Sequence, residues 1–180
     1  MLEEDPIQPE ELWLIEPTPS LQSEFMAMID EYQRQGETKW IHQLAQDDFP
    51  AYLQRAKNWA NNVDIPAGSV PMTNYWLTLH GRIINGESRL RHYLNPDLEI
   101  EGGHIGYTIC PSMRRLGYGT RILALTLKKG IELGLHQVLV TCDTDNLGSA
   151  RIIENNGGVL ASYAISPDSG KQISRYWIEI

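Results

Sequence analysis

Two arginines and two glycines form the segment of this sequence whose chemistry is easiest to name. Arg114, Arg115, Gly117 and Gly119 follow an apolar run and precede an amphipathic stretch, a pattern that predicts a strand, a loop and a helix start. The first N–H groups of a helix lack partners within the helix, and the helix dipole is positive there, so this loop could receive phosphate oxygens. Glycines without a Cβ would let a pyrophosphate approach the backbone closely.

The segment is neither a Walker A motif nor a GxGxxG fingerprint, which disfavours P-loop and Rossmann sites. Taken alone, its RxxGxG spacing is equally typical of an ordinary helix start with two solvated arginines. The surrounding elements favour the phosphate interpretation. A strand precedes the loop, and the helix after it is followed by a short apolar strand and by a second helix that begins at Asn146.

The elements that must position this loop can be predicted from hydrophobic periodicity and turn residues. Because parallel neighbours are joined by a helix, the segment 103–143 is predicted to be a right-handed βαβ unit with two parallel strands. The expected fold class is α/β (α+β), with a mixed, mostly antiparallel sheet flanked by helices. Strands are expected over 11–16, 74–80, 82–94, 101–110, 137–143, 159–165 and 174–180, and helices over 20–35 (capped by Ser20), 49–61, 117–133 and 146–156.

Composition limits the class of protein. The chain has 180 residues, of which 42% are hydrophobic, so we expect one globular domain over 1–180 with a flexible acidic lead-in at 1–10. Its 15 basic and 23 acidic side chains give a net charge of −8, which argues against nucleic acid as a partner. No apolar run approaches the ~20 residues that span a bilayer, and the N-terminus does not resemble a signal peptide. These features predict a cytoplasmic protein that does not associate with membranes.

The two cysteines, Cys110 and Cys142, lack the CxxC spacing of a structural zinc site, so no bound metal is expected. No residue pattern indicates a thiolate nucleophile with its base. Both side chains are therefore expected to be small, buried, free thiols.

Two segments, ICPSMRRLGYGTRIL and QVLVTCDTDNLGSARIIENNGG, resemble the GNAT superfamily of acetyl-CoA-dependent N-acyltransferases. The stretches GGHIGY at 102–107 and RLRH at 89–92 are similar to a bacterial branch of predicted acetyltransferases. The resemblance implies acetyl-CoA as cosubstrate and no metal. It also implies that the fourth and fifth strands, 103–110 and 137–143, splay apart at their C-terminal ends and admit the pantetheine arm.

The resemblance assigns roles to particular residues. Tyr107 and Ile109 would pair with the pantetheine arm, and the N–H of Tyr107 would stabilise negative charge on the thioester oxygen. Asn146 would face the pantetheine, with Ser149 as a polar neighbour. The pyrophosphate loop would comprise Arg114, Arg115, Leu116, Gly117, Tyr118, Gly119 and Thr120.

Two positions depart from the family pattern. Ile153 stands where many members carry a tyrosine, so the thiolate would leave unprotonated, through water, or with a proton from Tyr107, Tyr118 or Cys142. Gly103 stands where some relatives carry a glutamate base.

The general base is therefore open. His104 is the first candidate, although a strand histidine can equally have a structural role, and Glu101 is the second.

The third strand is expected to face the acceptor. Alternation places Arg89 and Arg91 on one face and His92 on the other, so they could bind an acceptor carboxylate or phosphate or form a solvated outer face. Aromatic residues could also line the acceptor pocket, although packing in the core is the commoner role for such residues. They are Trp40, Trp59, Trp76 and Tyr75.

These observations predict an N-acetyltransferase that transfers an acetyl group from acetyl-CoA by direct attack in a ternary complex. The acceptor would be the primary amine of a small molecule or a protein amino group. Two alternatives stay open: a non-catalytic acyl-CoA-binding or sensing domain, and a different nucleotide-binding α/β protein. The C-terminal strand 174–180 could pair with its equivalent in a homodimer.

Overall fold

The computed structural model describes residues 11–180, so the expected lead-in at 1–10 lies outside the described residues. Within that range seven strands and six α-helices alternate in a mixed α+β order. The elements are β1 (Leu12–Ile15), α1 (Gln22–Arg34), α2 (Trp40–Asp47), α3 (Phe49–Ala60), β2 (Met72–Leu79), β3 (Ile83–Arg91), α4 (Pro96–Ile100), β4 (Ile105–Ile109), α5 (Tyr118–Glu132), β5 (Gln137–Asp143), α6 (Leu147–Glu154), β6 (Val159–Ile165) and β7 (Gln172–Glu179).

The first four strands form one antiparallel sheet in the order β1-β2-β3-β4. Helices α1 to α3 cover one face of it, where the rings of Phe25 and Tyr52 stack on the fully buried Trp76 at centroid distances of 4.5 and 6.4 Å. Helix α5 covers the opposite face, where the Thr126 hydroxyl is 2.8 Å from that of Ser88 on β3. The sheet is therefore held between two separately packed helical layers.

The last three strands form a second antiparallel sheet in the order β5-β7-β6. The predicted antiparallel pairing of 159–165 with 174–180 is confirmed. Because β7 lies between β5 and β6, both of its edges are already hydrogen-bonded. The expectation that 174–180 could pair across a dimer is therefore wrong for this strand.

The predicted parallel ladder between β4 and β5 is not confirmed, since every strand ladder in the described part of the chain is antiparallel. The two sheets meet where the His104 N–H donates to the Leu139 carbonyl at 2.7 Å. The Leu139 N–H donates in turn to Nδ1 of the His104 ring at 2.9 Å. A side chain thus accepts the second hydrogen bond where a parallel ladder would use a backbone carbonyl. Gly103 permits this approach, because a Cβ there would lie 2.4 Å from the Leu139 oxygen.

Three local differences from the predicted elements have simple causes. Helix α1 begins at Gln22 after a 3-10 turn over Pro19–Leu21 and has no side-chain cap, so the expected Ser20 cap is absent. Helices α2 and α4 were not predicted; α4 has only five residues, too few for a periodic signal. Strand β4 begins at Ile105 because Gly102 and Gly103 adopt positive φ angles of 105° and 57°. None of the helices within residues 11–180 is long and apolar enough to cross a membrane.

Candidate active site

A cavity of about 420 Å³, here called the loop cleft, opens where β4 ends and α5 and α6 begin. It is lined by residues from one strand, one loop and two helix starts, so the predicted strand–loop–helix arrangement encloses a real space. Seven of the predicted site residues line it, namely Tyr107, Ile109, Arg114, Arg115, Gly119, Asn146 and Ser149, together with Thr108, Gly148 and Ile152.

The start of α5 is shaped for an anion. Gly117 precedes the helix with φ of 87°, a left-handed conformation that favours glycine, and no side chain caps the helix. Helices α3 and α6 differ, since Asp48 accepts the N–H of Ala51 and Asn146 accepts the N–H of Ser149. Like α1 and α2, α5 has no side-chain cap, so its first turn retains the hydrogen-bonding capacity that α3 and α6 satisfy internally.

The two arginines of the loop differ in their partners. Arg114 donates to the Ile109 carbonyl at 3.1 Å and forms a bidentate ion pair with Glu37 at 2.7 and 2.6 Å. The hydrogen bond from Arg114 lowers the pKa of Glu37, and the same bond raises the pKa of Arg114. For Arg115 no ion pair or side-chain hydrogen bond is found within residues 11–180, and its φ is 67°. Arg114 therefore anchors the loop, whereas the charge of Arg115 is uncompensated in the cleft.

The remaining predicted loop residues do not line the cleft. Leu116 is exposed, and Tyr118 is buried against Ile109 and Ile122 in the core. The carbonyl of Thr120 accepts a hydrogen bond from Asn156 at 3.2 Å. Their side chains therefore shape the loop and the helix start and do not face the cavity.

Tyr107 lies at the wall of the cleft, where its hydroxyl faces the start of α6. Its hydroxyl is 2.9 Å from the Ser149 hydroxyl at the start of α6. Burial raises the pKa of Tyr107 to about 12, against the opposing effect of the Ser149 hydrogen bond, so the phenol keeps its proton at neutral pH. Ile153, at the usual tyrosine position, is fully buried in the core.

The strand register leaves the Tyr107 N–H outside the ladder. Residue pairs in antiparallel strands alternate between hydrogen-bonded and non-hydrogen-bonded. The bonds from Arg91 to His104 and from Cys110 to Asn85 fix which pairs are bonded. By this alternation the pair of Ser88 with Tyr107 is non-bonded. The Tyr107 N–H therefore points away from β3, toward the side of β4 on which β5 lies.

A second cavity system, here called the sheet groove, lies on the face of β4 that carries α2 and α3. It consists of an inner cavity of about 100 Å³ and an outer one of about 380 Å³. The two share Ile41, Tyr52, Asn74 and Arg89 among their lining residues. The inner cavity is also lined by Tyr107 and Thr108, which line the loop cleft as well.

A charged cluster that the sequence analysis missed lies at the inner end of the groove. The carboxylate of Glu87 on β3 forms a close ion pair with Lys39 and lies 3.1 Å from Nε2 of His42. Lys39 also donates to the Thr108 hydroxyl at 3.0 Å. Burial raises the pKa of Glu87, but His42 and Lys39 together outweigh it and lower the pKa to about 2. Lys39 immediately precedes the unpredicted helix α2, and His42 lies within it. No local sequence motif could therefore have linked these residues to Glu87.

The sequence over residues 12–159 matches the family model of the acetyltransferase (GNAT) domain. The chain belongs to the GNAT acetyltransferase family. Solved structures share its fold: the microcin C7 self-immunity acetyltransferase MccE with acetyl-CoA and AMP has a TM-score of 0.70 at 14% identity, with 95% of this chain and 93% of that chain covered. Among curated proteins no sequence match is found.

Two further GNAT structures have the same fold. Mycobacterium smegmatis RimJ in complex with CoA-disulfide has a TM-score of 0.71 at 14% identity, with 93% of this chain and 81% of that chain covered. The ribosomal L7/L12 α-N-protein acetyltransferase RimL in complex with coenzyme A has a TM-score of 0.68 at 14% identity, with 94% of each chain covered.

His104 is embedded between the two sheets of this GNAT fold. It is 7% exposed and lines neither the loop cleft nor the sheet groove. Burial, followed by the charge of Arg91, lowers its pKa to about 4. Its Nδ1 lone pair accepts the Leu139 N–H, so these contacts favour a structural role, and the role of general base stays a prediction. Glu101, the second candidate, accepts a hydrogen bond from the Ser166 hydroxyl at 2.5 Å.

The predicted acceptor residues divide between two locations. Arg89 and Arg91 line the outer cavity together, which confirms that they share a face. Arg91 donates to the carbonyls of Gly102 and Gly103 at 2.9 and 2.7 Å. His92 lies 2.9 Å from the Thr73 hydroxyl and lines neither part of the groove.

The aromatic and thiol predictions are also resolved in part. Trp40 and Trp59 line the outer cavity, and the buried Tyr75 and Trp76 line the inner one. Cys110 and Cys142 are buried and free, as expected, and burial raises the pKa of both thiols. Among residues 11–180 no group of three or more His, Cys, Asp or Glu side chains could hold a metal ion.

Proposed function

We propose that this chain is a single-domain N-acetyltransferase that transfers an acetyl group from acetyl-CoA to a primary amine by direct attack in a ternary complex. The observation that carries the proposal is the position of Tyr107 and Thr108, which line both the loop cleft and the sheet groove. A thioester held on one side of β4 and an amine on the other could meet at this strand.

The loop cleft would hold the coenzyme. Arg115 and the uncapped start of α5 would bind the pyrophosphate, and Gly119 would let it approach the backbone. The pantetheine arm would run past Ile109 toward Asn146 and Ser149. MccE with acetyl-CoA, and RimJ and RimL with coenzyme A derivatives, support this assignment through their common fold. The chemistry needs no metal.

The reaction forms one bond and breaks another. The amine nitrogen attacks the thioester carbonyl carbon, the C–N bond forms, and the C–S bond then breaks with its electron pair on sulfur. The unpaired Tyr107 N–H would stabilise the oxyanion, and the Tyr107 hydroxyl would protonate the thiolate in place of the usual tyrosine. The amine would attack in its neutral form, after its ammonium proton has passed to water in the sheet groove.

A thiol-release assay with acetyl-CoA and a panel of amines tests this function, with mass spectrometry to detect acetylated products. We expect amine-dependent release well above hydrolysis, together with calorimetric binding of acetyl-CoA. Binding without amine-dependent release would support the second candidate, a non-catalytic acyl-CoA-binding domain. Ile153 at the usual position of the proton donor is the observation that favours that candidate.

A further inference from the structure

The outer part of the sheet groove is a cationic region in an acidic protein. Three guanidinium groups line it, those of Arg55, Arg89 and Arg91, and Asp97 is the only acidic residue among its lining residues. The carboxylate of the inner part, Glu87, is already paired with Lys39 and His42. The groove therefore has an excess of positive charge although the whole chain has a net charge of −8.

The three arginines differ in how they are engaged. Arg91 donates to two backbone carbonyls, and Arg55 is stacked with its guanidinium carbon 4.7 and 4.8 Å from the ring centroids of Trp40 and Trp59. For the exposed Arg89, no hydrogen bond or ion pair is found among residues 11–180. Its planar donor fork is therefore available to a ligand.

Arg89 also lies beside the proposed point of transfer. A Cβ at position 106 would be 2.9 Å from Nε of Arg89, so Gly106 leaves room for the guanidinium to lie against β4. Gly106 immediately precedes Tyr107, and Arg89 lines both the inner and the outer cavity. The charge of Arg89 also contributes, after burial, to lowering the pKa of Arg91 to about 10. An anion at Arg89 would relieve this repulsion.

We infer that the acceptor is a small amine that carries an anionic group, a carboxylate or a phosphate, and that Arg89 binds this group through charge-assisted hydrogen bonds. The inference rests on the proposed acetyl transfer and names the acceptor class for it. The net negative charge of the protein would otherwise favour cationic amines, so the prediction is specific to the local charge of the groove.

The test compares kcat/KM for amines of matched size and different charge: γ-aminobutyrate, phosphoethanolamine, butylamine and putrescine. We expect one or both anionic amines to exceed butylamine by about tenfold or more, with putrescine the poorest. Comparison of γ-aminobutyrate with phosphoethanolamine shows whether a carboxylate or a phosphate is preferred. Arg89→Gln should remove the preference, and Arg89→Glu should shift it toward putrescine. Arg82→Gln, at an exposed arginine outside the groove, is the matched control and should leave the preference unchanged.

Calorimetry separates the possible failures. Acetyl-CoA should bind wild type and the Arg89 variants with equal affinity, because Arg89 does not line the loop cleft. Equal use of all four amines, or a preference that survives Arg89→Gln, would overturn the inference and leave acetyl transfer intact. Acetyl-CoA binding with no amine-dependent thiol release would overturn the proposed function and this inference together.

Discussion

The loop cleft and the sheet groove are built in opposite ways around the same strand. The loop cleft is lined by residues within 107–119 and 146–152, and its proposed binding groups include backbone N–H groups. The sheet groove is lined by residues that span 39–108 and come from α2, α3, α4, β2, β3, β4 and the loops between them. A site formed by the backbone of short segments can be predicted from a local sequence pattern. A site formed by side chains from distant parts of the chain can be predicted only when the fold is known.

This difference also separates what the two regions can do. A backbone site fixes one ligand geometry, because the start of a helix presents the same groups whatever the neighbouring side chains are. A side-chain site can vary while the fold stays the same. We therefore expect substitutions in the loop cleft to act on coenzyme affinity, and substitutions in the sheet groove to act on acceptor choice.

The largest expected effect follows from placing a carboxylate in the loop cleft. Gly119→Glu should lower acetyl-CoA affinity by on the order of a hundredfold or more, because its carboxylate would repel the pyrophosphate and occupy its place at the helix start. A Cβ at position 119 would also lie 2.5 Å from Cδ1 of Ile152, which must then move. Gly119→Ala isolates that steric part and should retain most of the affinity by calorimetry. Unchanged affinity in a folded Gly119→Glu variant would contradict the assignment of the cleft.

The same contrast explains how much could be predicted from the sequence. Strand β5 and strand β6 were predicted with their observed bounds, because their apolar runs and flanking turn residues are local signals. The loop cleft was predicted for the same reason. The clustering of Glu87 with Lys39 and His42 could not be predicted from the sequence, because it depends on how α2 packs over β3. The predicted parallel ladder is not confirmed; where it would run, the Leu139 N–H donates to the His104 ring and not to a carbonyl.

Removal of the Tyr107 hydroxyl tests the strand that both regions share. Tyr107→Phe should lower kcat by on the order of a hundredfold, the range of a general acid, and should leave the acetyl-CoA dissociation constant nearly unchanged. Ser149→Ala is the matched control, because it removes the hydrogen-bond partner but keeps the phenol. An unchanged kcat in Tyr107→Phe would show that the thiolate leaves without this proton.

The junction beneath the two regions should respond to acid. The His104 pKa of about 4 lies below its ordinary 6.5, so the unfolded chain binds this proton more readily between those values. Stability contributed by His104 is present above pH 6.5 and is lost as the pH falls toward 4. Between pH 7 and pH 5 we expect its contribution to the free energy of unfolding to fall by about 2 kcal/mol.

Urea unfolding of wild type and His104→Gln at both pH values measures this loss. The glutamine can still accept the Leu139 N–H but does not titrate, so the variant should lose less stability on acidification. Burial lowers the pKa of His92 too, but His92 is present in both proteins, so its effect cancels in the comparison. Equal losses in the two proteins would show that His104 is not the group responsible.

The smallest expected effect compares the two adjacent arginines of the loop cleft. Arg115→Gln should weaken acetyl-CoA binding by about tenfold, since a free guanidinium would lose a charge-assisted contact with phosphate. Arg114→Gln should weaken it less, because Glu37 already neutralises Arg114 and its main contacts hold the loop. Calorimetry at low and high salt distinguishes the two variants. Acetyl-CoA affinity should depend less steeply on salt in Arg115→Gln than in wild type, whereas Arg114→Gln should keep the wild-type salt dependence. Equal losses of affinity and salt dependence would mean that Arg114 exchanges Glu37 for the pyrophosphate on binding, and that the cleft is less preformed than its helix start indicates.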